Sequence, residues 1–187
     1  MITANNHTLS GTPLSGEVLP QEIQQLLQQN RAATLSNVTK PTWWHTIRVR
    51  EIMSSPVICV DTLTSIPEAQ LLMQERNIRR LPVIDDGKLV GILTQGDVRG
   101  ALPSEVTTLN RAEQAYLMKQ VKVDRVMHTA VVTVTGDTTL AQAARLMVQY
   151  KIGGLPVLGK DGAVVGMVTE SDVFTLVVKV FAMLDQA

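Results

Sequence analysis

Residues Gly91–Val98 read GILTQGDV, and residues Gly166–Val173 read GMVTESDV. Each runs glycine, two apolar residues, threonine, two variable residues, aspartate, valine. Working outward from the phrase, the match extends. Met53 falls on Met127, Val57 on Val131, Val60 on Val134, Ile66 on Leu140, Ala69 on Ala143, Met73 on Met147 and Ile78 on Ile152, all shifted by 74 positions. LPV at Leu81 falls on LPV at Leu155, and one extra residue before Asp161 makes the shift 75 from there on. A spacing kept this long means two copies of one unit.

The unit reads as strand, helix, strand, strand, helix. PVICV and AVVTV alternate and are β-branched, which predicts a strand in each copy. In SIPEAQLLMQERNI, Ile66, Ala69, Leu72, Met73 and Ile78 recur near helical spacing, with Pro67 in a first turn. Turns at Asp86–Gly87 and Asp161–Gly162 each join two strands as a hairpin. A helix beginning near Asp97 or Asp172 closes each copy. The fold class is α/β (α+β). A three-stranded sheet has an apolar face that its helices cannot fully cover, so two βαββα repeats are expected to pack sheet to sheet as a pseudo-two-fold pair.

The remaining segments set the boundaries. Residues 1–45 read as a polar tail, with a short Gln-rich helix carrying Ile23, Leu26 and Leu27 on one face, then Trp43 and Trp44 as a clasp or a partner anchor. Residues 46–105 hold the first repeat, 106–120 a linker with a helix over Leu109–Lys119, and 121–187 the second repeat. The ending VFTLVVKVFAML is apolar almost all round, which predicts burial, in part against a second subunit. Val173, Val177, Val180 and Leu184 form the stripe expected to face the chain's own module; Phe174, Leu176, Val178 and Phe181 lie outside it.

Composition excludes several functions. Seventeen basic and seventeen acidic residues cancel, so no global field favours nucleic acid or an anionic membrane. Aromatic residues make up 3% of the 187 positions, too few for base-stacking platforms. No apolar run reaches membrane-spanning length, and no signal peptide is visible at the N-terminus, so a cytoplasmic protein is expected. Cys59 is the single cysteine and reads as a buried, inert thiol. His7, His45 and His128 have no partners at metal-ligand spacing and read as surface or turn residues. Met53, Met73, Met127 and Met147 read as core fillers. No nucleophile–base set or paired carboxylates stand out, so an enzyme is not expected.

The repeated phrase carries two chemistries. Threonine followed three residues later by aspartate is a capping box, which Thr94–Asp97 and Thr169–Asp172 satisfy. A helix start also offers free backbone N–H groups and a positive dipole. There a threonine hydroxyl can donate to phosphate or sugar oxygen, and an aspartate can accept from the two hydroxyls of a ribose. Capping and binding are compatible.

Two ordered copies of strand, helix, RLPVID, turn and VGILTQGD resemble a tandem pair of CBS domains, the Bateman module, from about Val49 to Leu184. Within the family the linker and the ending are similar to the pairs of acetoin-utilisation-type bacterial proteins. Those usually carry an ACT domain after the pair, and none is expected here. The resemblance implies a regulatory module that binds adenosine-containing ligands (AMP, ADP, ATP, S-adenosylmethionine, sometimes dinucleotides) in two clefts between the copies, with no required cofactor. Carried over, cleft one joins Thr169 and Asp172 to Ser54, Ser55, Val57, Arg79, Arg80 and Pro82. Cleft two joins Thr94 and Asp97 to Thr129, Val131, Gly153, Gly154 and Pro156. Arg79–Arg80 face Gly153–Gly154 at matched positions. Cleft one is therefore expected to take the phosphorylated ligand, and cleft two a less charged one or none. A homodimer and an unidentified regulated protein are the implied partners. The alternative is a ligand-free dimerisation scaffold whose phrases are only caps.

Overall fold

Each copy opens its first helix with a capping box. In the computed structural model, which describes residues 46–101 and 110–184, Glu68 N–H donates to Ser65 Oγ and Ser65 N–H donates back to Glu68 Oε2. Helix α1 (Ile66–Glu75) follows, with Pro67 in its first turn and Ile66, Ala69 and Met73 buried. Its counterpart in the second copy, Leu140–Tyr150, has the same box from Thr139 and Gln142, and buries Leu140, Ala143 and Met147 at the matched positions. Asn77 and Lys151 then take the left-handed conformation, with φ of 51° and 53°, which ends a helix and turns the chain back.

The first sheet has the order β1 (Val60–Asp61), β2 (Arg80–Asp85), β3 (Lys88–Thr94), with β1 parallel to β2 and β2 antiparallel to β3. Helix α2 (Gln95–Ala101) follows, then α3 (Arg111–Gln120) in the linker. The second copy repeats the plan as β4 (Val134–Thr135), α4 (Leu140–Tyr150), β5 (Gly154–Leu158), β6 (Val164–Thr169) and α5 (Glu170–Leu184). In the first hairpin, Asp86 and Gly87 both have positive φ, 47° and 73°, the tight two-residue turn that matches strand twist. In the second only Gly162 does, with φ 84°. Gly159 N–H donates to Ala163 O, which widens the loop by one residue. That residue is the change of shift from 74 to 75.

The two early strands are shorter than the sequence predicts. Of PVICV and AVVTV only the final residues enter the ladder, at Val60 and Val134. The residues before them line cavities instead of pairing with a strand.

The repeats also exchange their leading segments. Val49, ahead of the first copy, is fully buried in the second core with Leu155, Val157 and Val168. Val123, ahead of the second copy, is fully buried in the first core with Leu81, Val83 and Leu93. The crossing bonds match pair by pair. Val49 N–H donates to Thr138 O and Val123 N–H to Thr64 O, both at 2.9 Å; Ser54 bridges Met167, and His128 bridges Ile92. Burying each valine contributes about 1.5–3 kcal/mol, so the exchange fastens one copy to the other.

That crossing explains the first letter of the repeated phrase. A Cβ on Gly166 would lie 2.6 Å from Met53 Sδ and 3.1 Å from Ser54 O, and one on Gly91 would strike Met127 Sδ and lie 3.1 Å from His128 O. Neither glycine has positive φ. Room for the crossing backbone is what requires them. Met73 and Met147 fill the cores as expected, whereas Met53 and Met127 are half-buried against them, each over the other copy's glycine.

Helix α5 departs from its expected stripe. Val173, Leu176 and Val180 are the half-buried positions, while Val177 is exposed together with Phe174, Val178 and Phe181. Leu176 and Val177 thus exchange places. Among the described residues the expected burial of this helix is not met. Residues 1–45, with the Gln-rich helix and both tryptophans, lie outside the described residues.

Candidate functional site

Two cavities lie between the copies, each at the start of a helix that follows an outer strand. The smaller, about 270 Å³, is lined by Thr169 and Asp172 from the second copy and by Ser54, Val57, Arg79 and Arg80. This is the expected cleft one. Two of its expected residues are elsewhere. Pro82 is fully buried in β2, and Ser55 Oγ donates to Val165 O on the edge of β6. Asn77, Ile78, Met167 and Ser171 line the wall without having been expected; Asn77 is there because the left-handed turn after α1 carries it to the rim.

The larger cavity, about 750 Å³, is the expected cleft two, lined by Thr94, Thr129, Val131, Gly153 and Gly154. Pro156 is fully buried, like Pro82, because both sit in the central strand of a sheet. Asp97 is not part of the lining. His128 is, together with Arg79, Arg80, Arg99 and Lys151. The expectation of a weakly charged cleft two is therefore corrected. The two glycines leave room that Arg80 fills: its Cδ is 3.3 Å from where a Cβ on Gly154 would be, and its guanidinium overlaps the Cβ position of Gly153. Arg79 and Arg80 face both cavities. His128 and Lys151 escape a motif-based reading because their places in the wall depend on the exchanged segment and on a helix end.

Both threonine–aspartate pairs form the caps that the sequence allows. Thr94 N–H and Oγ1 donate to Asp97 Oδ2 at 2.8 and 2.7 Å. Thr169 N–H and Oγ1 donate to Asp172 Oδ2 at 2.7 and 2.8 Å. Ser65–Glu68 forms the same box and lines neither of the two cavities. A cap alone does not mark a site; the adjoining cavity does.

Electrostatics favour an anion. Burial pulls the Arg80 guanidinium down from its ordinary value; Glu170 opposes this and Arg79 adds to it. A half-buried cation beside another cation is relieved by a negative ligand. Arg79 Nη2 is 3.4 Å from Ser171 Oγ, which directs it toward the smaller cavity. Among the described residues no His, Cys, Asp and Glu cluster could hold a metal ion; Cys59 is half-buried rather than buried, and that burial pushes its thiol up.

A family model for the CBS domain matches residues 49–104 and again 123–179. The chain belongs to the CBS domain family. It is 36% identical over 135 residues to a CBS domain-containing protein of Dictyostelium discoideum, covering 72% of this chain and 93% of that one. The CBS domain pair of protein MJ0100, solved with 5′-methylthioadenosine and S-adenosyl-L-methionine, is similar with a TM-score of 0.58 and 31% identity, over 70% of this chain and 95% of that chain. A CBS pair assigned to acetoin utilisation, from Vibrio cholerae, gives a TM-score of 0.61 and 29% identity over 76% and 98%. The CBS-pair protein CBSX2 of Arabidopsis thaliana, solved with AMP, gives 0.59 and 28% over 72% and 98%. Enzymes also carry such pairs: this chain spans 24% of the length of a homoserine O-acetyltransferase of Methanosphaera stadtmanae, at 31% identity. No described helix is long and apolar enough to cross a membrane.

Proposed function

We propose that the chain is a non-catalytic regulatory module that senses adenosine-containing nucleotides in the two cavities between its CBS repeats. The observation that carries this reading is the half-buried Arg80, beside Arg79, facing two cavities that each adjoin a threonine–aspartate helix start. Relatives of similar length bind adenosine compounds, which supports the same ligand class here. Thr169 and Asp172 hold the ribose in the smaller cavity, and the arginines hold phosphate. A ligand spanning both copies shifts their arrangement by its differential affinity for the two arrangements. The readout is a partner protein or the chain's own homodimer, in the cytoplasm.

The exposed side of α5 supports the homodimer. Phe174, Val178 and Phe181 are 67%, 66% and 61% exposed, a patch that soluble monomers seldom leave open. A ligand-free scaffold is the second reading, and the fully formed caps favour it. A thermal-shift screen over AMP, ADP, ATP, S-adenosylmethionine, NAD and cyclic dinucleotides separates the two. Ligand at about 100 times its Kd stabilises by about 2.7 kcal/mol; no shift with any of them leaves the scaffold.

A further inference from the structure

Asp97 and Asp172 hold the same place in the two copies, yet only Asp172 lines its cavity. In the larger cavity His128 forms the wall instead, with Nε2 2.9 Å from Asp97 Oδ1. Thr94 already holds Oδ2, so both carboxylate oxygens are engaged. An ionised carboxylate only accepts, so the imidazole donates through Nε2–H. Asp97 is ionised over most of the pH range: burial raises its pKa, but the Thr94 and His128 bonds outweigh that and hold it below the usual carboxylate value. Asp172 differs. Thr169 holds its Oδ2, and its Oδ1 has no hydrogen-bond partner among the described residues. The residue matched to His128 there is Ser54, too short to cover a carboxylate as an imidazole does.

We propose that His128 is a specificity-determining residue that withdraws Asp97 from the ligand. The smaller cavity then accepts a ribose diol through Asp172. The larger one, with Arg80, Arg99 and Lys151 beside the imidazole, selects the polyphosphate part of a ligand over its nucleoside. This inference rests on the nucleotide-binding reading above and assigns different ligand chemistry to the two cavities.

Reciprocal exchange of the two matched residues tests it. Adenosine is titrated calorimetrically into the full chain, into His128→Ser and into Ser54→His, with ATP and 2′-deoxyadenosine as companion probes. The parent chain binds one adenosine, about ten-fold or more tighter than 2′-deoxyadenosine, the weight of a hydrogen bond to a charged group. His128→Ser binds two. Ser54→His loses adenosine affinity by about ten-fold or more and keeps its ATP site in the larger cavity. His128→Asn, which retains a donor to Asp97, stays at one, and melting curves confirm that each variant folds. Two adenosine sites in the parent, or one in a folded His128→Ser, overturns the role of His128 while leaving nucleotide binding intact. ATP binding with no adenosine binding in the parent overturns the role given to the smaller cavity. No binding of adenosine or ATP by the parent or any variant overturns both this inference and the nucleotide reading.

Discussion

The two cavities are built from one phrase on one backbone plan, and they differ nearly three-fold in volume, about 270 against about 750 Å³. The frame is common: outer strand, capped helix, exchanged segment crossing a glycine. The differences sit at matched positions. Where the smaller cavity has Ser54 and Asn77, the larger has His128 and Lys151; where the first copy has Arg79–Arg80, the second has Gly153–Gly154. Glycines there did not make their own cavity neutral. They made room for the opposite copy's arginine. Charge in a cleft between repeats is set by what each copy leaves space for, as much as by what it contributes.

The largest expected effect bears on the common frame. Gly166→Val and Gly91→Val each place a side chain against a methionine and a carbonyl of the crossing segment, and should cost about 3 kcal/mol, read as a fall in urea midpoint. Removing Met127 in a Gly91→Ala background relieves only part of the loss, since His128 O remains 3.1 Å from the new Cβ position. Gly100, with nothing within 4 Å of a Cβ, is the control. Gly100→Ala in α2 should be neutral or stabilise by about 0.5–1 kcal/mol.

A second contrast lies in the closing helices. Phe174 on α5 stands where α2 has Arg99. If α5 carries the proposed homodimer, Phe174→Glu with Phe181→Glu should give a folded monomer by light scattering. A parent chain that is monomeric at micromolar concentration contradicts the dimer.

A smaller effect sharpens the difference between the two aspartates. Because the folded-state pKa of Asp97 is lowered, its contribution to stability is present above the unfolded value of about 3.9 and is lost as pH falls through the folded value. Asp97→Asn should therefore flatten the decline in stability below about pH 4, measured by melting temperature across the acid range. An unchanged acid limb removes the claim that Thr94 and His128 hold this carboxylate.

Much of this was legible in the sequence because repetition supplies its own control. Ile66, Ala69 and Met73 against Leu140, Ala143 and Met147 fixed the helices and their buried faces, and Thr94, Thr169 and Asp172 marked residues that line the two cavities. What stayed hidden was non-local. The repeat alignment shows that Val49 matches Val123; it carries no sign that each packs in the other copy's core. His128 looked like an unattached histidine because Asp97, its partner, comes from the other copy's helix. Arg80 was assigned to one cavity because a side chain's reach across two glycines is a matter of space, which spacing along a chain does not encode.

The central claim is that Arg79 and Arg80 make these cavities phosphate-binding sites. Calorimetric titration of ATP and of adenosine into the parent and into Arg79→Ala with Arg80→Ala tests it most directly. ATP affinity should fall by about ten-fold or more while adenosine affinity changes little, and the salt dependence of ATP binding should flatten, because the lost contacts are screened by salt. Equal losses for ATP and adenosine, or an ATP affinity that the double substitution leaves unchanged, would contradict it.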